Sequence, residues 1–208
     1  GAENSWLKPG QSVLLDENVS HGPFPLASLK SFNLVPAMAS VNTVLVNNDV
    51  TKPLFDIAKG QPPFDINTRI SYNGDTSSAI SLKPLDYEKE TDKVTFSGGE
   101  FTLSADNQGS LVSLTGGAKS GQVNAVNEYG QKVQFTFNNL ETDGSSKLTT
   151  FDERIGDQTL SVERLAIGVE GKDLAELNDM RIAGKSELTA DGKKINSQLD
   201  YSLNSLKL

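Results

Sequence analysis

The sequence predicts a mainly β fold, a curved antiparallel meander of hairpins with one to three short helices. Two observations support it: apolar and polar residues alternate with a period of two in several segments, and Asn-Gly or Asp-Gly pairs separate such segments. These pairs supply the positive φ that a tight hairpin turn needs. No βαβ alternation is present, which argues against a parallel doubly wound sheet. The pattern leaves a half-barrel, a groove and a sandwich open.

The alternation is clearest in residues 195–203, where Asp191-Gly192 predicts a hairpin turn back to an arm over residues 180–188. The same pattern predicts a hairpin around Asn73-Gly74. It predicts a further one in which an arm over residues 94–103 turns near Gln108-Gly109. Residues 133–137 also alternate, whereas residues 160–169 alternate only in part. The chain is therefore predicted to be a series of strand, turn and strand units.

Helix signals are few. The clearest lies in residues 51–60, where the Thr51 hydroxyl is a candidate N-cap, Pro53 stands in the first turn and Gly60 at the end. Residues 172–179 are predicted to form a second short helix or an irregular turn. Residues 23–30 are a third candidate. None is long enough to be stable without packing.

The chain is expected to be a single β-rich domain over residues 1–208, a fragment of a longer polypeptide. A subdivision into a mixed helical and strand cap (residues 1–65) and an antiparallel sheet (residues 66–208) is an alternative. The net charge of −8 disfavours nucleic acid as a partner, because it repels phosphate backbones. The absence of cysteine excludes disulfides and thiolate chemistry. No segment is apolar for the length of a membrane span.

The residues provide no recognisable catalytic constellation. His21 is the single histidine, and it lies beside Gly22 and Pro23 in a predicted rigid turn. A histidine held by hydrogen bonds in that turn is the favoured interpretation, and a catalytic or pH-sensing imidazole is the alternative. Acid pairs such as Asp152-Glu153, or Glu100 with Asp106, are expected by chance among 27 acidic residues. We therefore expect no enzyme, no metal and no cofactor.

Two features suggest binding instead. Strands with a single apolar face cannot stand as an isolated layer in water, so they must curl, pack a second sheet or be covered by another segment. Apolar residues of the first third could line a groove, although an ordinary core cap is the favoured interpretation. The residues of this candidate groove are Phe24, Leu26, Leu29, Phe32, Leu54 and Phe55.

Several ordered segments resemble the YdgA family of enterobacteria, including residues 19–26 with the His-Gly-Pro turn, 52–56, 80–85, 96–101 and 195–201. The resemblance extends along nearly the whole chain. It implies an uncharacterised bacterial protein with an N-terminal anchor in the inner membrane and a large periplasmic part. This chain would be the amino-terminal portion after the anchor. The family supplies no catalytic residues to transfer.

Three functions remain open. The first is a non-enzymatic cell-envelope domain for protein interaction, whose partner is a second copy, an envelope protein or the missing C-terminal part of the same chain. The second is a carrier for lipids or other apolar ligands with a β groove. The third, a hydrolase that uses His21 or an acid pair, has the weakest support.

Overall fold

The computed structural model describes residues 15–21 and 39–208, with side chains described from residue 39 onward. One short helix, α1 (Lys52–Ile57), is found in this part of the chain, and all the strand pairings are antiparallel. The strands are β1 (Leu15–His21), β2 (Ala39–Leu45), β3 (Phe64–Ile70), β4 (Thr76–Leu82), β5 (Leu85–Lys89), β6 (Asp92–Phe96), β7 (Gly99–Ala105), β8 (Leu111–Val126), β9 (Lys132–Leu148), β10 (Arg154–Val169), β11 (Lys172–Leu188), β12 (Ile195–Ser202) and β13 (Ser205–Lys207).

These strands form one open, curved sheet. Its main order is β1-β2-β3-β4-β7-β8-β9-β10-β11-β12, so nearly every strand pairs with its neighbour in sequence. The β5–β6 hairpin is inserted between β4 and β7 in the chain and joins the sheet through β8. The predicted mainly β antiparallel fold is therefore confirmed. The predicted division at residue 65 stays a prediction, and β3 runs through that position.

Four long strands, β8 to β11, divide the sheet into two parts. Half-sheet 1 contains β1–β4, β7 and β12 together with residues 111–118, 140–148, 154–162 and 180–188 of the long strands. Half-sheet 2 contains β5, β6 and β13 together with residues 120–126, 132–138, 164–169 and 172–178. Each long strand thus belongs to both half-sheets.

Two local predictions are wrong. The arm predicted over residues 94–103 is two strands, β6 and β7, separated at Ser97-Gly98. Gly98 has a φ of +79°, and a Cβ there would lie 2.7 Å from the Leu82 carbonyl oxygen, so the chain can change direction here only with glycine. Residues 172–179 belong to β11 and pair with β10, because long-range pairing outweighs a weak local helix signal.

Helix α1 lies within the predicted range, but its predicted cap is wrong. Thr51 is completely buried, and its hydroxyl donates to the Val46 carbonyl oxygen at 2.7 Å instead of accepting from the helix. The Asn48 side chain accepts hydrogen bonds from the backbone of Val50 and Thr51 and thereby holds the entry turn. The third candidate helix, residues 23–30, lies outside the described residues.

The described residues bury few apolar side chains for their number. The buried apolar residues are Ala39, Leu45, Phe55, Val162 and Ala166. A compact two-layer domain would bury an inner face of each layer. Within residues 15–21 and 39–208, no helix has the length and hydropathy that crossing a membrane requires. The sheet itself is thus the main structural feature from which a function can be argued.

Close strand packing makes Gly116 a sensitive position. A Cβ on Gly116 would lie 2.3 Å from the Glu100 carbonyl oxygen and 2.6 Å from the Phe101 Cα, and the φ of Gly116 is +153°. Gly116→Ala should lower the free energy of unfolding by about 2 kcal/mol or more. Gly184→Ala is the matched control, because the nearest atom to its Cβ would be 3.8 Å away. Denaturant unfolding of both variants measures the difference, and equal losses would contradict the packing described.

Candidate binding faces of the sheet

A row of polar residues marks the boundary between the half-sheets. Lys119, Asn139, Glu163 and Asp179 stand at equivalent positions of β8, β9, β10 and β11, and we call them the boundary row. The ladder pairing is interrupted there. Asn139 and Asp179 have φ values of 49° and 51°, a left-handed conformation that Asn and Asp adopt at lower cost than most residues. The Asn139 side chain donates a hydrogen bond to Glu163, and Asn204 donates to Asp179 at 3.2 Å.

The strand register is the same on both sides of the boundary row. In β8 and β9, Ala118 pairs with Leu140 before the row, and Ser120 pairs with Asn138 after it, without an inserted residue. The unpaired row nevertheless breaks the alternation of faces. Ala118–Leu140 and Ser120–Asn138 are both ladder pairs while Lys119–Asn139 between them is not, so hydrogen-bonded and non-hydrogen-bonded pairs exchange positions at the row. Residues of the same parity therefore point to opposite faces on its two sides.

The apolar residues, in contrast, change from even to odd positions at this row. In half-sheet 1 the apolar positions are even, as in Val112, Leu114 and Leu140. In half-sheet 2 they are odd, as in Val123, Phe135 and Phe137. β10 changes between Val162 and Leu165, and β11 between Leu177 and Met180. Because the face that each parity occupies also reverses at the row, the apolar side chains of both half-sheets lie on the same side of the sheet.

The apolar face of half-sheet 2 is continuous across seven strands, and we call it face 2. Its central side chains pack across the strands. The centroids of the Phe96 and Phe137 rings are 6.3 Å apart. Gly121 stands on the strand between these two residues, and the Phe137 ring lies over it. One cross-strand row consists of Leu85, Phe96, Gly121, Phe137, Leu165, Leu177 and Leu206. The next row consists of Tyr87, Val94, Val123, Phe135, Ile167 and Ala175.

Face 2 is open in the described structure. Val123, Phe135 and Ile167 are direct cross-strand neighbours, and their exposed fractions are 41%, 40% and 40%. Isolated exposed apolar residues are ordinary on protein surfaces, but a contiguous row rimmed by polar residues marks an interaction site. Seven strands spaced about 4.8 Å apart make this face roughly 29 Å wide.

The opposite face of half-sheet 2 is mainly polar, although Ala166 is buried there and Val126 is exposed, and several of its side chains contact one another. Arg164 Nε donates to Glu176 Oε1 at 3.0 Å across β10 and β11. Asn178 donates to the Ser205 hydroxyl at 3.2 Å. Hydrogen bonding from Arg164, opposed by partial desolvation, holds the pKa of Glu176 below its usual value. This face is suited to solvent.

Half-sheet 1 carries a groove on its apolar face, with a volume of about 660 Å³. Its floor follows the cross-strand row Leu103, Leu114, Gly144, Gln158, Gly184 and Leu199. Leucines stand at the ends of the row. In its middle the Gln158 side chain lies against Gly144 and donates to the Thr142 hydroxyl at 2.6 Å, whereas a Cβ on Gly184 would meet no atom closer than 3.8 Å. Arg154 stands beside it. A second groove lies on the opposite, polar face and contains Glu100, Lys119, Glu141 and Asp143.

Most of the sequence-predicted site residues lie where the structure describes no side chain. His21 ends β1 opposite Ala39, its side chain is not described, and Gly22 and Pro23 lie outside the described residues. The same holds for the groove candidates Phe24, Leu26, Leu29 and Phe32. Of the remaining two, Phe55 is buried and Leu54 is 38% exposed, and neither lines the two grooves described above. The predicted turn and groove stay predictions.

Glu100 and Asp106, one of the acid pairs, have separate hydrogen-bond partners. Glu100 accepts from Ser81 in the sheet at 2.9 Å, whereas Asp106 accepts from the Ser110 backbone in a turn. Within the described part of the chain, no three acidic, histidine or cysteine side chains are grouped as metal ligands. Sequence reasoning missed Arg154 and the row of Val123, Phe135 and Ile167. The imperfect alternation of residues 160–169 was the available signal.

The sequence matches the family described as "Bacterial protein of unknown function (DUF945)" over residues 1–208. It is 65% identical to Protein YdgA of Escherichia coli (strain K12) over 208 residues, all of this chain and 41% of that protein. It is 29% identical to Uncharacterized protein YihF of the same strain over 206 residues, 99% of this chain and 42% of that protein. The chain thus spans about two-fifths of these relatives. No solved structure is detectably similar.

The Arg164–Glu176 pair makes a pH prediction. Because the pKa of Glu176 is lowered in the folded state, its stabilising contribution is present at neutral pH and is lost as the pH falls through that pKa. Arg164→Met should therefore cost most stability at neutral pH and progressively less on acidification. Unfolding free energies between neutral and acidic pH measure this. Lys185→Met, which removes the exposed Lys185–Glu187 pair, is the control, and a pH-independent cost of Arg164→Met would contradict the account.

Proposed function

Since the chain belongs to the DUF945 family, whose function is unknown, we propose its role from the geometry: a non-enzymatic interaction module in which face 2 binds protein. The family membership specifies no reaction or ligand. The described residues offer an extended apolar surface. Binding through the sheet is therefore the function that the geometry supports best.

The observation that carries this proposal is the exposed row of Val123, Phe135 and Ile167. Each retains about two-fifths of its surface in contact with water. Complete burial of such a side chain contributes about 1.5–3 kcal/mol relative to full exposure, so covering the rest of each is worth on the order of 1 kcal/mol. Neighbouring residues of face 2 add to this gain, which makes a protein cover favourable.

The occupant we propose is the remainder of the full-length polypeptide. More than half of the length of YdgA and YihF lies outside the matched region, so a family member has ample chain for a cover. The edge of half-sheet 2 also accepts further pairing. β13 pairs with β11 over three residues, Glu176 to Asn178, next to Lys172–Ala175 at the same edge. A strand added there would enter directly beside face 2.

The proposal assigns the domain to the periplasm, anchored to the bacterial inner membrane through a segment outside this chain. The resemblance of the ordered segments to the YdgA family supports that assignment, and the lack of cysteine is compatible with it. Association of two copies through face 2 is the alternative within the same function.

A photo-crosslinking amino acid placed at Phe135 of the full-length polypeptide tests the proposal. Phe135 lies on face 2, whereas Gln134 lies on the polar face of the same strand and is the matched control. We expect position 135 to crosslink with residues of the same polypeptide beyond residue 208, and position 134 to give at most weak products. Peptide mass spectrometry identifies the sites.

Isotope-labelled and unlabelled protein, mixed before irradiation, separates the outcomes. Products that join one labelled and one unlabelled chain would overturn the proposed occupant in favour of a second copy. Equal yields at positions 134 and 135, or no product at position 135, would overturn protein binding by face 2.

A further inference from the structure

The groove of half-sheet 1 has the form of a binding site for a thin apolar chain. Leu103 and Leu114 close it on one side and Leu199 on the other. Gly184 lowers the floor between them, while the Gln158 side chain covers Gly144. The adjoining row repeats the arrangement with Val112 at the edge and small residues, Ser146, Gly156, Ser186 and Ser197, in the middle. Its volume of about 660 Å³ is within the range of small-molecule sites.

Arg154 provides a cation at this groove. Its Nη1 atom donates to the Ser110 carbonyl oxygen at 3.2 Å and to the Ser146 hydroxyl at 3.1 Å, and Nη2 donates to the Gly109 carbonyl oxygen. These neutral acceptors fix the guanidinium in position. Arginine has five N–H donors, so these contacts leave donors for a further acceptor.

Arg154 takes part in none of the ion pairs of the described residues. The other charged groups at the groove are Asp157 and Lys185, which face each other across β10 and β11. Lys185 also contacts Glu187 at 3.5 Å. Among the described residues, the guanidinium of Arg154 is therefore a cation at the groove that has no carboxylate partner. An anionic group of a ligand would complement its charge.

We propose that this groove binds a single-chain anionic amphiphile, with its hydrocarbon chain over Gly184 and the small residues of the adjoining row and its acidic head group on Arg154. A fatty acid carboxylate and the phosphate of a single-chain lipid share this chemistry. The site is on half-sheet 1 and face 2 is on half-sheet 2, and the two share no residues, so this inference is tested separately from the protein-binding function proposed above.

Gly184→Leu tests the apolar part of the site. A Cβ on Gly184 would meet its nearest atom, Leu199 Cδ1, at 3.8 Å, so the backbone can carry the side chain while the leucine fills the floor. We expect dodecanoate binding by the full-length polypeptide, measured by calorimetry and native mass spectrometry, to weaken at least about tenfold. Asn196→Leu on neighbouring β12 adds similar bulk on the opposite face and should leave the affinity within about twofold.

Arg154→Gln tests the head group. Two anionic probes, dodecanoate and dodecyl phosphate, should each bind about tenfold more weakly to this variant. The binding of uncharged dodecanol should be unaffected. Arg154→Lys should retain part of the anion affinity. A thermal unfolding scan confirms that each variant is folded.

Each possible result of these binding measurements either supports or overturns the proposed site. Equal loss for dodecanol and dodecanoate in Arg154→Gln would overturn the assigned role of the guanidinium. Unchanged dodecanoate binding in a folded Gly184→Leu variant, or no dodecanoate binding by the unsubstituted protein, would overturn the site. Preference for dodecanoate over dodecyl phosphate identifies a carboxylate ligand, and the reverse identifies a phosphate ligand; both support the site.

Discussion

The constant register of β8 to β11 across the boundary row is the constraint on which the rest of the structure depends. Since no residue is inserted at Asn139 or Asp179, the strands continue with the same pairing on both sides. Their apolar residues nevertheless change from even to odd positions there. The unpaired row, with its two left-handed residues, reverses the face that each parity occupies, so the apolar side chains of the two halves stay on one side of the sheet.

The boundary row is suited to this transition because its residues are polar. The side chains of the boundary row belong to neither apolar surface, so an apolar side chain there would have no apolar neighbours to pack against. Asn139 and Asp179 also tolerate the left-handed conformation that interrupts the ladder, and Asn139 donates to Glu163 across the row. The polar boundary row consequently separates two apolar surfaces on one side of the sheet. One forms a groove that is deepest at Gly184, and the other forms a broad face with an aromatic centre.

Much of the fold follows from local sequence signals, while the faces depend on pairing between distant residues. Asn73-Gly74 and Asp191-Gly192 predict their hairpins because turn chemistry acts over a few residues. Residues 172–179 were misassigned because their strand conformation comes from pairing with β10. The split between β6 and β7 was missed for a related reason, since Gly98 is required by its approach to the Leu82 carbonyl oxygen. The prediction that one-faced strands need a cover anticipated face 2, whereas Arg154 gave no signal in sequence.

A cysteine scan along β9 of the full-length polypeptide tests the central claim most directly, because this chain has no cysteine of its own to interfere. Thiol modification rates would be measured at single cysteines placed from residue 133 to residue 146. The account predicts that odd-numbered positions are protected before Asn139, where face 2 is covered, and that even-numbered positions are protected after it, where the groove lies. Protection that keeps one phase along the whole strand would contradict the account.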